Sequence, residues 1–332
     1  MTRSLLLGLA LFGALLLSPA IADAQTINDY REFYRLLRIN ATEQVVPCYP
    51  SAKPLDEPIV YGVDRDTAGR PTRITRFTFG NPDTRGEWTT MRIAYTPVET
   101  NNTIVQRRTF YGASGVPLTT LTGFAVEIIY RRNGGILMRK YVDADGKPVN
   151  DLVGTSWTLY LPVGEAISQE WYFSNRKLHF GTGSDGPYHP FAAMPEQTYY
   201  RKMVVNAAGE LVREEVRGFD KKSLPYPNGE FAHAYELNAC GQPTRIIFLD
   251  TGGNPMADSD GVATRTFEYD TNGRMIAWSA FDLKGNPKGR RGDGVAVTRK
   301  IYREFDGILV DEQWFDAKGN QLPGDGLGST NR

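Results

Sequence analysis

The chain has 332 residues, of which 41% are hydrophobic and 23% charged, a composition typical of a globular protein and not of a disordered or collagen-like one. Its 38 basic and 38 acidic side chains balance, so no overall field favours nucleic acid or an anionic membrane, and neither is expected as a partner. A chain of this length can hold one or two ordinary domains or one extended array of repeats.

The first 24 residues have the features of a cleavable export signal. Arg3 supplies a positive charge, Leu5 to Leu17 form an apolar run, and a small-residue cleavage box ends at Ala24. An apolar run of about a dozen residues is too short to span a bilayer comfortably. We therefore expect cleavage after Ala24, no membrane span in the mature chain, and a periplasmic, cell-surface or extracellular location. A retained signal anchor is the alternative.

Residues 25–57 are predicted to form a short helix and an extended arm. In the stretch TINDYREFYRLLRIN, the aromatic and aliphatic residues between Tyr30 and Leu37 recur at helical spacing. We expect this amphipathic helix to cover the first open edge of a sheet. The following stretch, VVPCYPSAKPLDEP, is expected to run extended into the repeats.

Residues 58–322 are predicted to form about eight tandem β-hairpins. Turns of the form Asp/Asn-x-x-Gly begin at Asp250, Asp282 and Asp316, at intervals of 32 and 34 residues. A second set lies half a repeat earlier, and its clear copies are Asp66–Gly69, Asn206–Gly209, Asn238–Gly241 and Asp270–Gly273. Asp or Asn favours the first corner of a type I turn, and Gly tolerates the positive φ that follows. The runs between turns are rich in β-branched and aromatic residues, as strands are.

A lone hairpin is marginal in water, so each hairpin must pack beside its neighbours. The predicted fold is therefore all-β, a curled sheet or solenoid of hairpins, with a closed barrel or a β-propeller as the alternative. One unit, residues 155–196, departs from the pattern because it carries a long Gly- and Pro-rich loop. Residues 323–332 are expected to form a flexible tail.

The irregular unit is the candidate ligand site, because repeat arrays often place binding residues where the pattern is interrupted. The candidate ligand-binding residues are Trp171, Tyr172, Tyr188 and His189. A neutral insertion without a binding role is the alternative.

The two cysteines, Cys48 and Cys240, can form one disulfide in an exported protein or remain two free thiols. In a flat strip, five hairpins at about 4.8 Å per strand would place the sixth unit about 48 Å from the first. The arm that carries Cys48 reaches only about 33 Å. A Cys48–Cys240 bond would therefore require the sheet to curl or close.

The residues FEYDTNGRM, from Phe267 to Met275, resemble the bacterial YD, or Rhs-type, repeat, whose signature is aromatic-x-Tyr-Asp-x-x-Gly-Arg-Leu. Other units keep the Asp/Asn-x-x-Gly skeleton and lose the Tyr-Asp pair. In that family such hairpins wind into a curled β-strip, and the largest members enclose a toxic C-terminal domain. The resemblance implies an architecture and transfers no catalytic residue.

No sequence motif indicates catalysis, a metal site or a cofactor. The three histidines, His179, His189 and His233, have no metal-ligand spacing to each other or to a cysteine. The sequence also contains no nucleophile elbow, no phosphate-binding loop and no Gly-x-Gly-x-x-Gly that opens a helix. A dispersed triad of Ser184, Asp185 and His189 is conceivable, because triad members need not be adjacent in sequence.

These features predict an exported, non-catalytic binding or scaffold protein of the bacterial envelope, whose partner is an envelope protein or a glycan. A surface glycan-binding or adhesion module is the alternative, and a hydrolase with a dispersed site is a third. No cofactor and no enzyme activity are expected.

Overall fold

The computed structural model describes residues 26–83, 88–98, 102–120, 123–151, 154–172, 178–179, 198–303 and 307–323. A single 3-10 turn, η1 (Ile27–Asp29), precedes twenty-one strands in these ranges, which confirms the all-β class. Within the same ranges no helix has the length and apolar character needed to cross a membrane.

All of these strands belong to one sheet. In chain order they are β1 (Glu32–Ile39), β2 (Val45–Pro50), β3 (Val60–Arg65), β4 (Pro71–Thr78), β5 (Asn81–Pro82), β6 (Thr90–Val98), β7 (Thr103–Tyr111), β8 (Val126–Arg132), β9 (Gly135–Val142), β10 (Trp157–Val163), β11 (Ala166–Tyr172), β12 (Leu178–His179), β13 (Tyr200–Val205), β14 (Leu211–Arg217), β15 (Ala232–Leu237), β16 (Pro243–Leu249), β17 (Thr264–Tyr269), β18 (Met275–Phe281), β19 (Val297–Tyr302), β20 (Leu309–Phe315) and β21 (Gln321–Leu322).

The sheet is an antiparallel meander with one reversal at its start. Strand β1 lies between β2 and β3, and the longer strands then follow chain order to β20. The two-residue strands β5, β12 and β21 pair with β4, β11 and β20. No pairing among the described residues joins β2 to β20, so the sheet is open and neither a closed barrel nor a propeller.

The predicted repeat is confirmed as eight hairpins: β3–β4, β6–β7, β8–β9, β10–β11, β13–β14, β15–β16, β17–β18 and β19–β20. The last four of these hairpins begin at residues 200, 232, 264 and 297, which gives intervals of 32, 32 and 33 residues. Each hairpin pairs with the next, and this stacking is the arrangement that makes short hairpins stable.

The Asp-x-x-Gly motifs form turns, as predicted. The Asp270 carboxylate accepts the backbone N–H groups of Asn272 and Arg274 at 2.8 and 2.9 Å, and the Gly273 N–H donates to the Asp270 carbonyl oxygen at 3.0 Å. Gly273 has a φ of 78°, a conformation that glycine adopts at little cost. At the equivalent Asp66 the Arg70 side chain and two backbone N–H groups lower the pKa of the carboxyl. These carboxylates therefore cap the backbone of their own turns.

The tyrosine and arginine of the repeat signature join neighbouring hairpins. In three units a tyrosine hydroxyl donates to a backbone carbonyl oxygen just after the turn of the preceding hairpin. These bonds are Tyr95 to Pro71 (3.0 Å), Tyr269 to Pro243 (2.8 Å) and Tyr302 to Met275 (3.0 Å). The turn arginine of the preceding hairpin also lies over the ring in two of them, with Arg70 4.2 Å from the centroid of Tyr95 and Arg274 4.9 Å from that of Tyr302. Each such tyrosine therefore latches its hairpin to the one before it.

The segment predicted as an amphipathic helix is strand β1, so that prediction is wrong. Phe33 packs against the cluster that contains Tyr30, and Tyr34 and Leu37 pack against the cluster that contains Val63. Hydrogen bonding to a strand on each side outweighs a helical period over so short a segment. With β2, which occupies part of the predicted arm, it forms a ninth hairpin that precedes the eight repeats.

Apolar side chains form several clusters along the strip. We call the face that carries the three largest clusters the inner face, and the opposite face the outer face, since side chains alternate along each strand. The three largest clusters contain Val63, Ile74, Met91, Ile93, Phe110, Phe124 and Tyr141; Ala41, Ile129, Ile136, Tyr160, Met203 and Leu211; and Ile246, Phe248, Val262, Phe267 and Ala280. The core is thus extended along the array, as expected for a solenoid.

The strip curls so that the β1–β2 hairpin contacts the turns of the fifth, sixth and seventh repeats. The contacts are Arg38 to Glu210 (3.0 Å), Asn40 to the carbonyl oxygen of Ala208 (2.8 Å) and Tyr49 to Gln242 (2.6 Å). A Cβ atom at Gly209 would overlap the Thr42 side chain, and one at Gly273 would overlap the Tyr49 ring. These turns therefore need glycine for close approach as well as for positive φ.

Register shifts recur next to the hairpin turns and provide a physical source for the curl. They lie at Asp64/Arg65, Tyr130/Arg131, Val204/Val205, Glu236/Leu237, Glu268/Tyr269 and Ile301/Tyr302. A β-bulge bends its strand and increases the local right-handed twist. These shifts occur in six of the eight repeat hairpins, so their bends add up along the strip.

The turn of the β1–β2 hairpin is a variant of the repeated turn. Asn40 occupies the first corner and accepts the backbone N–H groups of Thr42 and Gln44 at 3.1 and 2.9 Å. Glu43 stands where the other turns have glycine, and its φ is 59°. A left-handed conformation is costly for a residue with a side chain. Contacts of Glu43 with the interior offset that cost.

Glu43 is held inside the strip by three arginines from β7, β8 and β9. Its carboxylate lies 2.8 Å from Arg139 Nη1 and 3.5 Å from Arg108 Nη1, and it accepts the Tyr160 hydroxyl at 3.0 Å. Its carbonyl oxygen accepts hydrogen bonds from Arg108 and Arg131. Burial alone would raise the pKa of Glu43, but Arg139, Arg108 and the Tyr160 hydroxyl outweigh burial and lower it. The N-terminal hairpin is therefore pinned by a buried charge.

Candidate functional site

The irregular fourth repeat presents a stacked aromatic pair on the outer face. Trp157 opens β10 and Tyr172 ends β11, and the two residues are directly opposite each other in the hairpin. Their ring centroids lie 4.1 Å apart with an interplanar angle of 8°. Both side chains are half-buried, whereas their neighbours Thr158 and Trp171 point to the inner face and are fully buried. We call Trp157 and Tyr172 the aromatic platform.

Polar side chains border the platform on two sides. Lys140 lies opposite Trp157 across β9 and β10, on the same face of the sheet. Glu170, two residues before Tyr172, accepts the hydroxyl of Tyr172 at 2.6 Å. Burial raises the pKa of Tyr172, and the hydrogen bond and charge of Glu170 raise it further. The phenol therefore stays protonated, and the platform combines flat apolar rings with a carboxylate and an ammonium group.

The surface continues across the next strand. Tyr200 on β13 lies opposite Glu170, and the Lys221 ammonium group lies 5.4 Å from the centroid of the Tyr200 ring. An aromatic ring with charged neighbours of both signs can stack on a sugar or anchor a peptide side chain. The arrangement therefore provides groups that can bind a ligand.

The structure places the four predicted site residues differently. Trp171 is fully buried and packs with Val216, Leu224 and Tyr226, so its ring offers no surface to a ligand and its role is packing. Tyr172 is on the surface, in the aromatic platform. Tyr188 and His189 lie outside the described residues.

Trp157 belongs to the candidate site, and sequence reasoning did not select it. Trp157 and Tyr172 flank the turn between β10 and β11 at equal distances, and the residues at the two ends of a hairpin face each other. The strand alternation that places Tyr172 outward places Trp171 inward. Locating the turn first would therefore have selected Trp157 in place of Trp171.

The curl brings the two cysteines together. The Cys48 thiol on β2 lies 3.8 Å from the carbonyl oxygen of Cys240, in the turn of the sixth repeat. Both cysteines are free thiols in this structure. Burial, together with the neighbouring Cys240, raises the pKa of Cys48 to about 12. The curl thus places Cys48 beside the turn that carries Cys240, and the disulfide itself stays a prediction.

His233 is a structural residue in the interior. It is fully buried, with Nε2 3.3 Å from Glu230 and Nδ1 3.6 Å from Glu214. Burial would lower the pKa of His233, but hydrogen bonds and charges from Glu214 and Glu230 raise it. Glu214 also accepts Arg201 Nε at 2.6 Å. Among the described residues no cluster of three or more His, Cys, Asp or Glu could hold a metal ion.

Comparison with known proteins adds two remote structural matches. The chain is similar to the crystal structure of TcdB2-TccC3-Cdc42, with 10% identity and a TM-score of 0.21, over 80% of this chain and 18% of that one. It is also similar to the crystal structure of TcdB2-TccC3-TEV, with 11% identity and a TM-score of 0.20, over 81% of this chain and 12% of that one. The chain thus spans less than a fifth of either match, and TM-scores this low carry no argument about function. No family model matches the chain, and no curated protein does.

Proposed function

We propose that this chain is an exported, non-catalytic binding or scaffold protein of the bacterial envelope, which holds its ligand on the aromatic platform. The observation that carries the proposal is the stack of Trp157 on Tyr172, half-buried on the outer face while the adjacent Trp171 fills the core. Aromatic side chains supply large contact areas at low conformational cost.

The platform has a stiff support. Strand β10 is hydrogen-bonded to β9 and β11, and β11 is bonded to β10 and β13, so both aromatic residues lie on strands with a partner on each side. Binding groups on such elements lose little freedom when a ligand binds. This favours a protein that holds a partner in a fixed geometry.

The polar groups of the described turns and interior favour binding over catalysis. The turn aspartates are occupied by backbone N–H groups of their own turns, as at Asp270 and Asp282. His233 is enclosed between Glu214 and Glu230 and has no surface. None of these groups is poised toward the platform.

Export is proposed from the first 24 residues. Arg3, the apolar run and the small residues up to Ala24 match a cleaved signal. N-terminal sequencing of the protein recovered from the periplasm or the medium should begin at Gln25. Recovery of an uncleaved chain in the cytoplasm would contradict export.

A glycan-binding role is the second candidate, and the platform itself favours it. Parallel aromatic rings bordered by Glu170 and Lys140 suit a sugar, whose apolar face stacks while its hydroxyls form hydrogen bonds. An envelope protein that inserts a side chain against the same rings is the competing ligand.

A glycan array and a pull-down from envelope extract would identify the ligand class. Trp157→Ala and Tyr172→Ala should each abolish the binding that the wild-type protein shows. Phe79→Ala is the matched control, since Phe79 is 45% exposed and lies between β4 and β5, away from the platform and its neighbouring strands. If both platform variants bind as well as the control, the platform is not the site.

A further inference from the structure

A pocket on the outer face of β4, β6 and β7 is lined by three arginines. The pocket has a volume of about 400 Å³, and Arg73, Arg92 and Arg107 line it together with Thr109 and Tyr111. No Asp or Glu is among the described residues that line it. Val126 of β8 and Ala144, after β9, also line it, and none of its described lining residues lies on β10 or β11, which carry the aromatic platform.

The strand register forces these arginines together. Arg73 lies directly opposite Arg92 across β4 and β6. Arg107 lies opposite Ala94, which makes it a diagonal neighbour of Arg92 across β6 and β7. Like charges in such positions destabilise a sheet, because they repel at close range. Three in one row need a counter-charge.

Within the described residues, one of the three has a carboxylate as counter-charge. Arg73 Nε donates to the Asp64 carboxylate at 2.6 Å, and its guanidinium group lies 4.6 Å from the centroid of the Tyr30 ring. Arg92 lies 5.1 Å from the centroid of Tyr111. In the described part of the chain neither Arg92 nor Arg107 lies within ion-pair distance of a carboxylate.

We propose that this pocket binds the oxyanion group of an acidic sugar, a carboxylate or a phosphate, between Arg92 and Arg107. The planar guanidinium fork donates paired hydrogen bonds to such groups. Stacking on Tyr111 holds Arg92 in place before the ligand arrives, and Thr109, opposite Arg92, adds a hydroxyl beside the pocket wall. A volume of this size accommodates a small organic ligand.

Isothermal titration calorimetry with four probes tests the proposal: glucuronate, glucose 6-phosphate, inorganic phosphate and neutral glucose. Glucuronate or glucose 6-phosphate should bind, and added sodium chloride should weaken the binding, while glucose should not bind. If inorganic phosphate binds with the same affinity as glucose 6-phosphate, the pocket recognises the anion alone, and the assignment of an acidic sugar is wrong. Failure of both acidic sugars to bind at millimolar concentration overturns the whole proposal.

Substitutions separate this pocket from other basic surfaces. Arg92→Gln and Arg107→Gln should each weaken binding by about tenfold or more, since each removes charged hydrogen bonds. Arg299→Gln is the matched control, because Arg299 likewise stacks on an aromatic ring, 5.2 Å from the centroid of Phe315, but lies on β19. Equal binding by all three variants would refute the site. Retention of binding by Trp157→Ala would show that the pocket acts independently of the proposed platform.

Discussion

Replacement of Glu43 by Gln tests how the N-terminal hairpin is held inside the strip. The side chain keeps its size and the backbone keeps its left-handed conformation, so the change removes only the charge. Three buried guanidinium groups, those of Arg108, Arg131 and Arg139, would then face one remaining carboxylate, Glu127, which lies 3.0 Å from Arg108. Removing one partner of a buried ion pair costs about 3–5 kcal/mol. We expect Glu43→Gln to lower the free energy of unfolding by about this amount.

Urea unfolding, followed by tryptophan fluorescence and circular dichroism together, provides the assay. Glu236→Gln is the control, because Glu236 pairs with Arg245 at 3.2 Å with both side chains about half exposed. An exposed pair of this kind contributes about 1 kcal/mol or less. If Glu43→Gln is no more destabilising than Glu236→Gln, the hairpin is not pinned by this charge.

The pH dependence of the same variant gives an independent check. Because the folded state lowers the pKa of Glu43 below its usual value of 4.5, the carboxylate contributes stability above that pH. The contribution is lost as the pH falls through the lower folded-state pKa. The difference in unfolding free energy between the wild type and Glu43→Gln should therefore shrink in acid. A difference that stays constant would contradict the assigned role.

Three further predictions concern other contacts. Non-reducing peptide mapping of the exported protein should find Cys48 linked to Cys240. Reduction of this bond should then lower the free energy of unfolding by up to about 5 kcal/mol, because the bond closes a long loop. Finding two free thiols would contradict the predicted disulfide. The pKa of His233 is raised in the folded state, so this residue contributes stability below pH 6.5, and the contribution is lost as the pH rises through the folded-state pKa. In His233→Gln the free energy of unfolding should therefore fall less as the pH rises, as measured by urea unfolding at several pH values. Tyr302→Phe removes the 3.0 Å bond to the Met275 carbonyl oxygen and should cost about 1 kcal/mol by the same assay, and no change would show that the latch is unimportant.

The repeat was predictable from the sequence because its turns are encoded locally. Asp or Asn at the first corner and Gly three residues later determine the turn without help from the rest of the chain, as Asp270 and Gly273 illustrate. Strands between such turns then follow from their β-branched and aromatic content. The curl could not be predicted outright. The sequence showed only that a Cys48–Cys240 bond would require the sheet to curl or close.

The first hairpin was not predictable in the same way. Tyr30, Phe33, Tyr34 and Leu37 fit a helical period, but β1 is defined by pairing with strands on both sides and by contacts to turns more than 150 residues away. Its turn has Glu43 in the glycine position, so the local signal is incomplete. Only the contacts with buried arginines, which are distant in sequence, make a glutamate tolerable at this position of the turn.

For the two proposed sites on the outer face, too, one part could be predicted from the sequence and another part could not. The irregular repeat drew attention to the hairpin that carries the proposed platform, and Tyr172 is on its surface. Which of the neighbouring aromatics faces outward depended on the turn position, which the sequence of this hairpin marks weakly. The arginine pocket depends on the register between β4, β6 and β7, which only the three-dimensional pairing defines.

Native-state hydrogen exchange of the β1–β2 hairpin tests most directly whether the array is curled around its own N-terminal segment. Peptides covering residues 36–46 include the hydrogen-bonded amides of Asn40 and Glu43. They should exchange as slowly as peptides from the β8–β9 hairpin, because both would open only with the whole structure. Rapid exchange of residues 36–46 while β8–β9 stays protected would show a hairpin detached from the strip, and would contradict the account.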